Sequence, residues 1–241
     1  MKLVHVSAIA TGIVLVLGAF MVIPIYLHST SSQYFLLSFS VLDNVEQKWC
    51  DELSSTLQKH KVQAIIYFSG KAAEKNPDCV KSFQSNIDIG SQTYHYTALT
   101  TISDYSQQLE EITEGKKAVD KAGNLNSRLF KAPYGSTDAN IYSLLQRSDI
   151  IADFSYDNQY NKYHNGQFIN FDLDSYDGAN NTPEFFKNLL TEKPVVINFD
   201  DSISIEYVND LISKTKSRNT FFIDASQLTG LSLTIRDDGM A

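Results

Sequence analysis

The sequence predicts an α/β fold, a distorted (β/α)7-8 barrel of the TIM-like kind. Short apolar runs of strand length alternate with amphipathic stretches of helical length, an order that builds parallel βαβ units with right-handed crossovers. Seven or eight such runs occur within 241 residues, which is the size of a single barrel domain. With 43% hydrophobic residues, the chain can bury one large core. We expect one domain over residues 34–230, preceded by a spacer at 29–33 and followed by an unassigned tail at 231–241.

The predicted strands are mostly continuous apolar runs bounded by turn-forming residues, as expected for strands buried on both faces. Residues 167–173 differ, because polar and apolar side chains alternate there. In chain order, the predicted strands are 34–39, 62–68, 87–89, 128–132, 149–154, 167–173, 194–199 and 219–223.

Helices are predicted where apolar residues recur three or four positions apart. The first carries Trp49, Leu53 and Leu57 at this spacing. Asp43 or Asn44 is its expected amino-terminal cap, since a short polar side chain can accept from the first free backbone amides. The remaining predicted helices are 77–83, 103–120, 137–147, 183–191 and 203–216, with a polar, tyrosine-rich loop at 156–166.

The amino-terminal 28 residues predict a targeting segment. Residues 4–27 carry no Asp, Glu, Lys or Arg, and this length matches the roughly 20 residues needed to cross a bilayer better than the roughly 7–15 of a signal-peptide core. We interpret residues 1–28 as an uncleaved signal anchor that places a helix in the membrane. A long cleavable signal peptide is the alternative, and either one places the domain in the secretory pathway, at the cell surface or outside the cell.

Two cysteines fit an oxidising compartment. Cys50 lies in the first predicted helix and Cys79 in the second, so the two could pair on the outside of the barrel, or they could be two separate buried thiols. Asn180 begins an Asn-Asn-Thr glycosylation sequon, although Pro183 directly after it disfavours occupancy.

The charge pattern excludes one class of partner. The net charge is −8 and no cluster of Lys and Arg is present in the sequence, whereas nucleic-acid recognition usually needs a concentrated basic surface. An uncharged glycan remains compatible with this composition, and the sequence does not specify a protein partner.

Four segments at predicted strand ends carry the most specific signal. Residues 37–41 read Leu-Ser-Phe-Ser-Val, residues 62–70 read Val-Gln-Ala-Ile-Ile-Tyr-Phe-Ser-Gly, residues 89–100 read Ile-Gly-Ser-Gln-Thr-Tyr-His-Tyr-Thr-Ala-Leu-Thr and residues 130–135 read Phe-Lys-Ala-Pro-Tyr-Gly. In this order they resemble motifs of the NodB-homology polysaccharide deacetylases, carbohydrate esterase family four. The family's versions run roughly Leu-Thr-Phe-Asp-Asp, Val-x-Ala-Thr-Phe-Phe-Val-x-Gly, Ile-Gly-Asn-His-Thr-Tyr-Ser-His-Pro-Asp-Leu-Thr and Phe-Arg-x-Pro-Tyr-Gly. The resemblance covers residues 34–230 and implies the family's distorted barrel, with a site at the carboxyl ends of the strands.

The same resemblance implies that this chain lacks the family's catalytic and metal-binding residues. In the family, one Asp is the general base, a second Asp and two His bind a metal that activates water, and a late His is the acid. Here the base, base-pairing and acid positions hold Ser40, Lys131 and Phe199, and the metal positions hold Val41, Gln92 and Tyr96. We therefore expect no zinc or other divalent metal, and no ordinary deacetylation.

Aromatic residues remain at the expected mouth of the barrel, namely Tyr94, Tyr96, Tyr134 and Phe199. Aromatic faces beside amide and hydroxyl groups suit sugar rings, and the family resemblance implies chitin or another N-acetylglucosamine glycan as the candidate ligand. The alternative is that these side chains only fill the space that the metal occupies in the family.

Two other sites remain open in the sequence. Asp43, His95 and Asp200 could form a substitute metal site. Residues 198–201, followed by 219–223, also resemble the family's Leu-Thr-Phe-Asp-Asp motif and the strand after it. The simpler interpretation is that the acidic pair Asp200 and Asp201 caps the helix that follows.

Three functions follow as hypotheses. The first is a catalytically inactive deacetylase-like protein that binds glycans or has a structural role at the cell surface. The second is an active carbohydrate N-deacetylase with a rebuilt site that uses Lys131, His95 or Asp200. The third is a module that binds a partner protein through its outer helices.

Overall fold

The computed structural model describes residues 32–83, 87–155, 173–191, 193–230 and 232–236. Within these ranges the chain forms ten strands and eight α-helices. The strands are β1 (Gln33–Val41), β2 (Ala64–Phe68), β3 (Asp88–Ser91), β4 (Leu125–Ser127), β5 (Leu129–Phe130), β6 (Ala152–Asp153), β7 (Asp174–Asp177), β8 (Val195–Asp200), β9 (Thr220–Phe222) and β10 (Thr234–Arg236). The helices are α1 (Gln47–His60), α2 (Gly70–Lys75), α3 (Pro77–Ser82), α4 (Tyr105–Gly123), α5 (Ala139–Arg147), α6 (Pro183–Asn188), α7 (Ile205–Thr215) and α8 (Ala225–Thr229).

Eight strands form one curled parallel sheet around β1. The order along the sheet is β6-β5-β3-β2-β1-β8-β7, and β9 pairs with β1 beside this path. In the centre, Leu37 lies opposite Ala64 of β2 and Ile197 of β8. This confirms the predicted α/β fold with a parallel barrel-type sheet.

Side chains of β1 alternate between two buried layers, because successive residues of a strand point to opposite faces. Leu37 and Phe39 pack in the layer that also contains Leu53 of α1 and Leu211 of α7, so this layer lies between the sheet and the helices. Leu36 belongs to a second layer inside the curled sheet. Residues in phase with Leu36 therefore face the interior of the barrel, and residues in phase with Leu37 face the helices.

The carboxyl-terminal segment closes the other end of the barrel. β10 pairs antiparallel with β4, which places a strand in the tail that the sequence left unassigned. Asp88 at the start of β3 accepts hydrogen bonds from the backbone amide and hydroxyl of Ser226, at 2.6 and 2.8 Å. These contacts hold α8 and β10 against the amino-terminal ends of the strands.

The expected pairing of the two cysteines is confirmed. Cys50 of α1 and Cys79 of α3 form a disulfide, with their Cα atoms 5.4 Å apart. Both residues are fully buried, and they cross-link two helices on the outer side of the sheet.

Several predicted boundaries were wrong for identifiable reasons. Helix α1 begins after Glu46, and Asp43 does not cap it, because the Asp43 carboxylate accepts from the Ser69 hydroxyl instead, at 3.0 Å. Ser69 in turn caps α2, a helix that the sequence did not predict, by accepting from the Ala72 amide.

Two strand predictions also differ from the structure. The strand expected at 128–132 is only the short strand β5, and it is preceded by β4, which the sequence did not predict and which pairs with β10. The strand expected at 167–173 falls mainly on residues outside the described ranges, and the described strand of this region, β7, begins at Asp174.

Some expectations concern residues that the structure does not describe. The predicted anchor at 1–28 and the predicted loop at 156–166 both lie outside the described ranges. Among the helices that are described, none is long and apolar enough to cross a bilayer.

Candidate functional site

The candidate site lies at the carboxyl ends of four parallel strands. Ser40 is the second-to-last residue of β1, and Asn198 is on β8. Gln92 directly follows β3, and Lys131 directly follows β5. Ser40 and Asn198 are in phase with Leu36 and Val196 of the inner layer, so their side chains face the barrel interior. The parallel sheet thus brings together residues far apart in the sequence.

A hydrogen-bond network joins these residues. The Lys131 ammonium donates to the hydroxyls of Ser38 and Ser40, at 3.3 and 3.2 Å, and to the amide oxygen of Asn198, at 3.0 Å. Ser40 also accepts from Gln92 Nε2 at 2.9 Å. Ser40 and Gln92 are only 4% and 1% exposed, so this part of the network is shielded from solvent, whereas Lys131 and Asn198 are half-buried.

Burial makes the Lys131 ammonium easier to deprotonate. Desolvation lowers the pKa of its ammonium from 10.5 to about 8, and the negative charge of Asp200 opposes this shift. The ammonium also lies 5.6 Å from the centre of the Tyr67 ring, a cation–π distance. At neutral pH the lysine is mostly protonated, so the interior end of the site carries a fixed positive charge.

Two of the replaced positions face the helices and not the site. Phe199 is 5% exposed and stacks on Phe39 at 5.0 Å in the outer apolar layer. Gly178 packs against the same ring, with no room for a side chain. Val41 is fully buried in the same layer. The expectation that Phe199 lies at the mouth therefore disagrees with the structure, because its place on β8 is one residue out of phase with Asn198.

Two tyrosines do meet at the mouth. The rings of Tyr96 and Tyr134 form an edge-to-face pair with centres 5.3 Å apart. Both residues have left-handed backbones, with φ of 55° and 59°, which is uncommon for large side chains and concentrated at functional sites. Tyr134 is 77% exposed. Burial, and then the neighbouring Tyr134, Asp200 and Asp201, raise the pKa of the Tyr96 hydroxyl, so it stays protonated and can donate.

Tyr94 and His95 point away from this pair. The Tyr94 hydroxyl donates to Glu74 on α2, which raises the pKa of the tyrosine. His95 Nδ1 lies 2.6 Å from a carboxylate oxygen of Glu111 on α4. Both residues line an outer groove of about 550 Å³ beside α4.

The substitute metal site that Asp43, His95 and Asp200 could form is not assembled. His95 is paired with Glu111, and Asp43 is bonded to Ser69. In the part of the chain that the structure describes, no three His, Cys, Asp or Glu side chains are placed to hold a metal ion.

The acidic pair at the end of β8, Asp200 and Asp201, organises a turn. Asp200 accepts from the amide and hydroxyl of Ser202, and Asp201 accepts from the Leu42 amide at 2.8 Å. Ser204, and not either aspartate, caps α7. The expectation that the acidic pair caps this helix was therefore wrong, because the helix begins later than predicted.

The metal that the resemblance implies does not fit the residues at its positions. Zinc in proteins takes nitrogen, sulfur or carboxylate ligands. Val41 has no donor atom and faces the helices, Gln92 is bonded to Ser40, and Tyr96 pairs with Tyr134. The Lys131 ammonium beside Ser40 would also repel a dication. These residues therefore do not form a site for the family's metal.

Sequence reasoning missed Ser38, Asn198 and Tyr67, which complete the surroundings of Lys131. The available signal was strand phase: Ser38 is two residues before Ser40, and both face inward. In β8, residues 195–197 are apolar without alternation, which conceals that Asn198 faces the interior while Phe199 does not.

Comparison with known proteins places this chain in a family. The polysaccharide deacetylase family profile matches residues 29–150, half of the chain. No curated protein sequence matches this chain.

Solved structures show the same fold at low sequence identity. A family 4 carbohydrate esterase from Streptomyces lividans, in complex with acetate, has a TM-score of 0.62 at 18% identity, over 82% of this chain and 95% of the other. The peptidoglycan deacetylase PdaC from Bacillus subtilis has a TM-score of 0.62 at 14% identity, over 83% and 91%. A CE4 family pseudoenzyme from Bacillus anthracis has a TM-score of 0.59 at 15% identity, over 80% of this chain and 64% of the other.

The family match and the fold agree with the motif order read from the sequence. This chain belongs to the polysaccharide deacetylase family and has the (β/α)7-8 fold of carbohydrate esterase family 4.

Proposed function

We propose that this protein is a non-catalytic polysaccharide deacetylase that binds N-acetylglucosamine glycans at the mouth of its barrel. The observation that supports this most directly is the ammonium of Lys131, hydrogen-bonded to Ser40 where the family has its base. A serine hydroxyl cannot take a proton from water near neutral pH without a base of its own. A positive charge beside that hydroxyl makes removal of its proton easier, but it also disfavours the binding of a metal cation by electrostatic repulsion.

The size of the expected defect follows from the groups that are missing. Loss of a general base or acid costs about 10²–10⁴ in rate, and loss of a metal removes several kcal/mol more. These losses together place metal-dependent deacetylation below detection. Pseudoenzymes occur on this fold, as the Bacillus anthracis structure indicates for that protein.

Metal analysis and acetate release test the absence of catalysis. We expect the protein purified without added metal to contain no stoichiometric zinc, and to release no acetate from N-acetylglucosamine oligomers with or without added zinc or cobalt. Stoichiometric zinc, or turnover that a chelator abolishes, would overturn the proposal. A Bacillus subtilis PdaC sample assayed in parallel controls for the substrate.

The aromatic pair supports glycan binding. Tyr96 and Tyr134 present an edge-to-face pair at the mouth, and Tyr134 is largely exposed. Titration with N-acetylglucosamine oligomers by calorimetry should give millimolar or tighter binding that Tyr134→Ala weakens. Tyr105→Ala is the matched control, because Tyr105 is also exposed but lies at the start of α4. No heat at millimolar sugar would leave only a structural role.

One observation favours a second function, a metal-independent hydrolase. Lys131 Nζ lies 3.2 Å from Ser40 Oγ, and its pKa is lowered to about 8, as in sites that pair a serine nucleophile with a lysine base. The neutral amine would take the Ser40 proton while Oγ adds to an acyl carbon, the ammonium would then protonate the leaving group, and water would release the acyl group. Chelator-insensitive acetate release that rises above pH 8 and is lost in Ser40→Ala would establish this function and exclude the first.

We further propose that the protein works outside the cytoplasm, tethered by the apolar segment at residues 4–27. The Cys50–Cys79 disulfide supports an oxidising compartment. The Asn180 sequon is exposed, and its side chain donates to Asp177 at 2.6 Å. Resistance to carbonate extraction tests the anchor, and a mass shift on glycosidase treatment tests the sequon.

A further inference from the structure

The loops at the amino-terminal ends of the strands form a surface with an unusual charge for this protein. We call this surface the basal face, and it lies opposite the mouth. The whole chain has a net charge of −8. Exposed cations nevertheless surround the starts of β2, β8 and β9, namely Lys59, Lys61, Lys193, Lys216 and Arg218. The concentration of positive charge arises in the fold, since these residues come from three separate parts of the sequence.

Contacts join these loops into one surface. The Gln33 amide donates to the Asn219 carbonyl at 2.8 Å, and the Gln33 side chain donates to the Leu189 carbonyl. Lys216 donates to the carbonyl of His60, at the end of α1. Asp174, which borders the face, is half-buried and accepts from Thr191 at 2.8 Å.

Exposed apolar side chains lie among these cations. Tyr34 of β1 and Phe221 of β9 stack with ring centres 5.4 Å apart while remaining 41% and 44% exposed. Leu190, next to the residue that Gln33 contacts, is 89% exposed. A tyrosine, a phenylalanine and a leucine surrounded by lysine and arginine match the composition of surfaces that lie in the headgroup region of a bilayer.

The sequence places a membrane segment next to this face. β1 begins at Gln33 on the basal face, and the apolar segment ends at residue 27. The six Cα-to-Cα steps from residue 27 to residue 33 span at most about 20 Å when fully extended. If residues 4–27 cross a bilayer, the basal face is the part of the domain that the tether holds closest to the lipid.

We propose that the basal face docks on an anionic lipid surface, with Tyr34, Phe221 and Leu190 among the headgroups and the five cations against anionic lipid. The mouth, at the other end of the strands, then points away from the membrane. This inference rests on the membrane tether of the proposed function, but the docking contacts are separate from it. Each cation near an anionic bilayer favours docking by a factor of about five.

A tryptophan reporter tests the docking. The full-length protein with Phe221→Trp is reconstituted in phosphatidylglycerol-containing nanodiscs, and quenching by lipids brominated on their acyl chains is measured. Tyr105→Trp is the matched control, because Tyr105 is 43% exposed and belongs to α4, away from the basal face. Trp49 is present in both variants and gives the same background. We expect the reporter at 221 to be quenched several-fold more than the reporter at 105.

Charge variants separate docking from tethering. Lys59→Gln with Arg218→Gln should reduce quenching at position 221 by at least fivefold, as should 0.5 M salt, without changing resistance to carbonate extraction. Lys48→Gln with Lys117→Gln removes two exposed cations, one at the start of α1 and one in the middle of α4, and should change neither. Equal quenching at 221 and 105, or quenching that these basal substitutions leave unchanged, would overturn the docking.

The tether can fail while the docking holds. If carbonate extracts the protein, the anchor is wrong, and quenching at 221 by added phosphatidylglycerol vesicles still supports docking. If the protein resists extraction but position 221 is not quenched, the docking is wrong and the anchor holds. Circular-dichroism melting of each variant verifies that the fold is intact.

Discussion

Replacing Lys131 with methionine should change how the stability of this protein depends on pH. The half-buried lysine side chain is hydrogen-bonded to Ser38, Ser40 and Asn198, and desolvation lowers the pKa of its ammonium from 10.5 to about 8. A folded-state pKa below the unfolded value means that the folded protein releases this proton first. The free energy of unfolding should therefore rise as pH increases from about 8 to about 10.5, and this rise should be absent in Lys131→Met.

The magnitude follows from the size of the shift. Each pKa unit corresponds to about 1.4 kcal/mol, so a shift from 10.5 to about 8 corresponds to about 3 kcal/mol over the full titration. Between pH 7 and pH 10 we expect about 2.5 kcal/mol of this difference. That figure is an upper value, because the lysine keeps some contact with solvent, which screens its charge.

Urea unfolding of both proteins at pH 7, 8, 9 and 10, followed by circular dichroism, measures the effect. The comparison at each pH cancels the titration of other groups. Disulfide exchange at high pH is limited, because the chain has two cysteines and both are in the Cys50–Cys79 bond. A constant difference between the two proteins from pH 7 to 10 would refute the lowered pKa, and with it the buried ammonium.

Three further predictions concern the framework of the fold. Replacing Cys50 and Cys79 with alanine should lower the free energy of unfolding by about 3.6 kcal/mol, because the disulfide closes a loop of 29 residues in the unfolded chain. Midpoints of urea unfolding measure this loss. An unchanged midpoint would mean that the disulfide does not constrain the unfolded chain. Burial raises the pKa of Asp153 to about 7, so the free energy of unfolding of the native protein should fall by up to about 4 kcal/mol relative to that of Asp153→Asn as pH rises from 4 to 8. Parallel curves of unfolding free energy against pH for the two proteins would contradict this. Gly178→Ala should destabilise the folded protein by about 1–3 kcal/mol, because the new methyl group would overlap the Phe199 ring. An unchanged melting temperature would show that the ring moves freely.

The sequence was sufficient for the architecture because the signals for parallel strands and crossover helices are strong and repeated. Apolar runs such as residues 62–68 correctly indicated strands buried on both faces, as β2 shows. Boundaries were less accurate where a side chain had two possible partners. Asp43 suits a helix cap by type, but its partner is Ser69, which only the packing of β2 beside β1 brings close.

The candidate site was predictable in part. Ser40, Gln92 and Lys131 were identified from the motif order, and the structure joins them by hydrogen bonds. Phe199 was misplaced because continuous apolar strands hide which residues face inward, and a shift of one residue moves a side chain to the opposite face. The position of His95 depends on Glu111 of α4, a long-range contact that local sequence does not encode.

The central position of β1 has a consequence for synthesis of the chain. The strand comes first among the described elements, yet its partners β8 and β9 come near the end, so that Gln33 pairs with Thr220. Until those residues have been made, one side of an apolar nine-residue strand exposes unsatisfied peptide groups, the kind of edge that recruits other chains. A nascent or truncated chain that stops before β8 should therefore aggregate or require a chaperone, and folding of the barrel should follow, not accompany, its elongation.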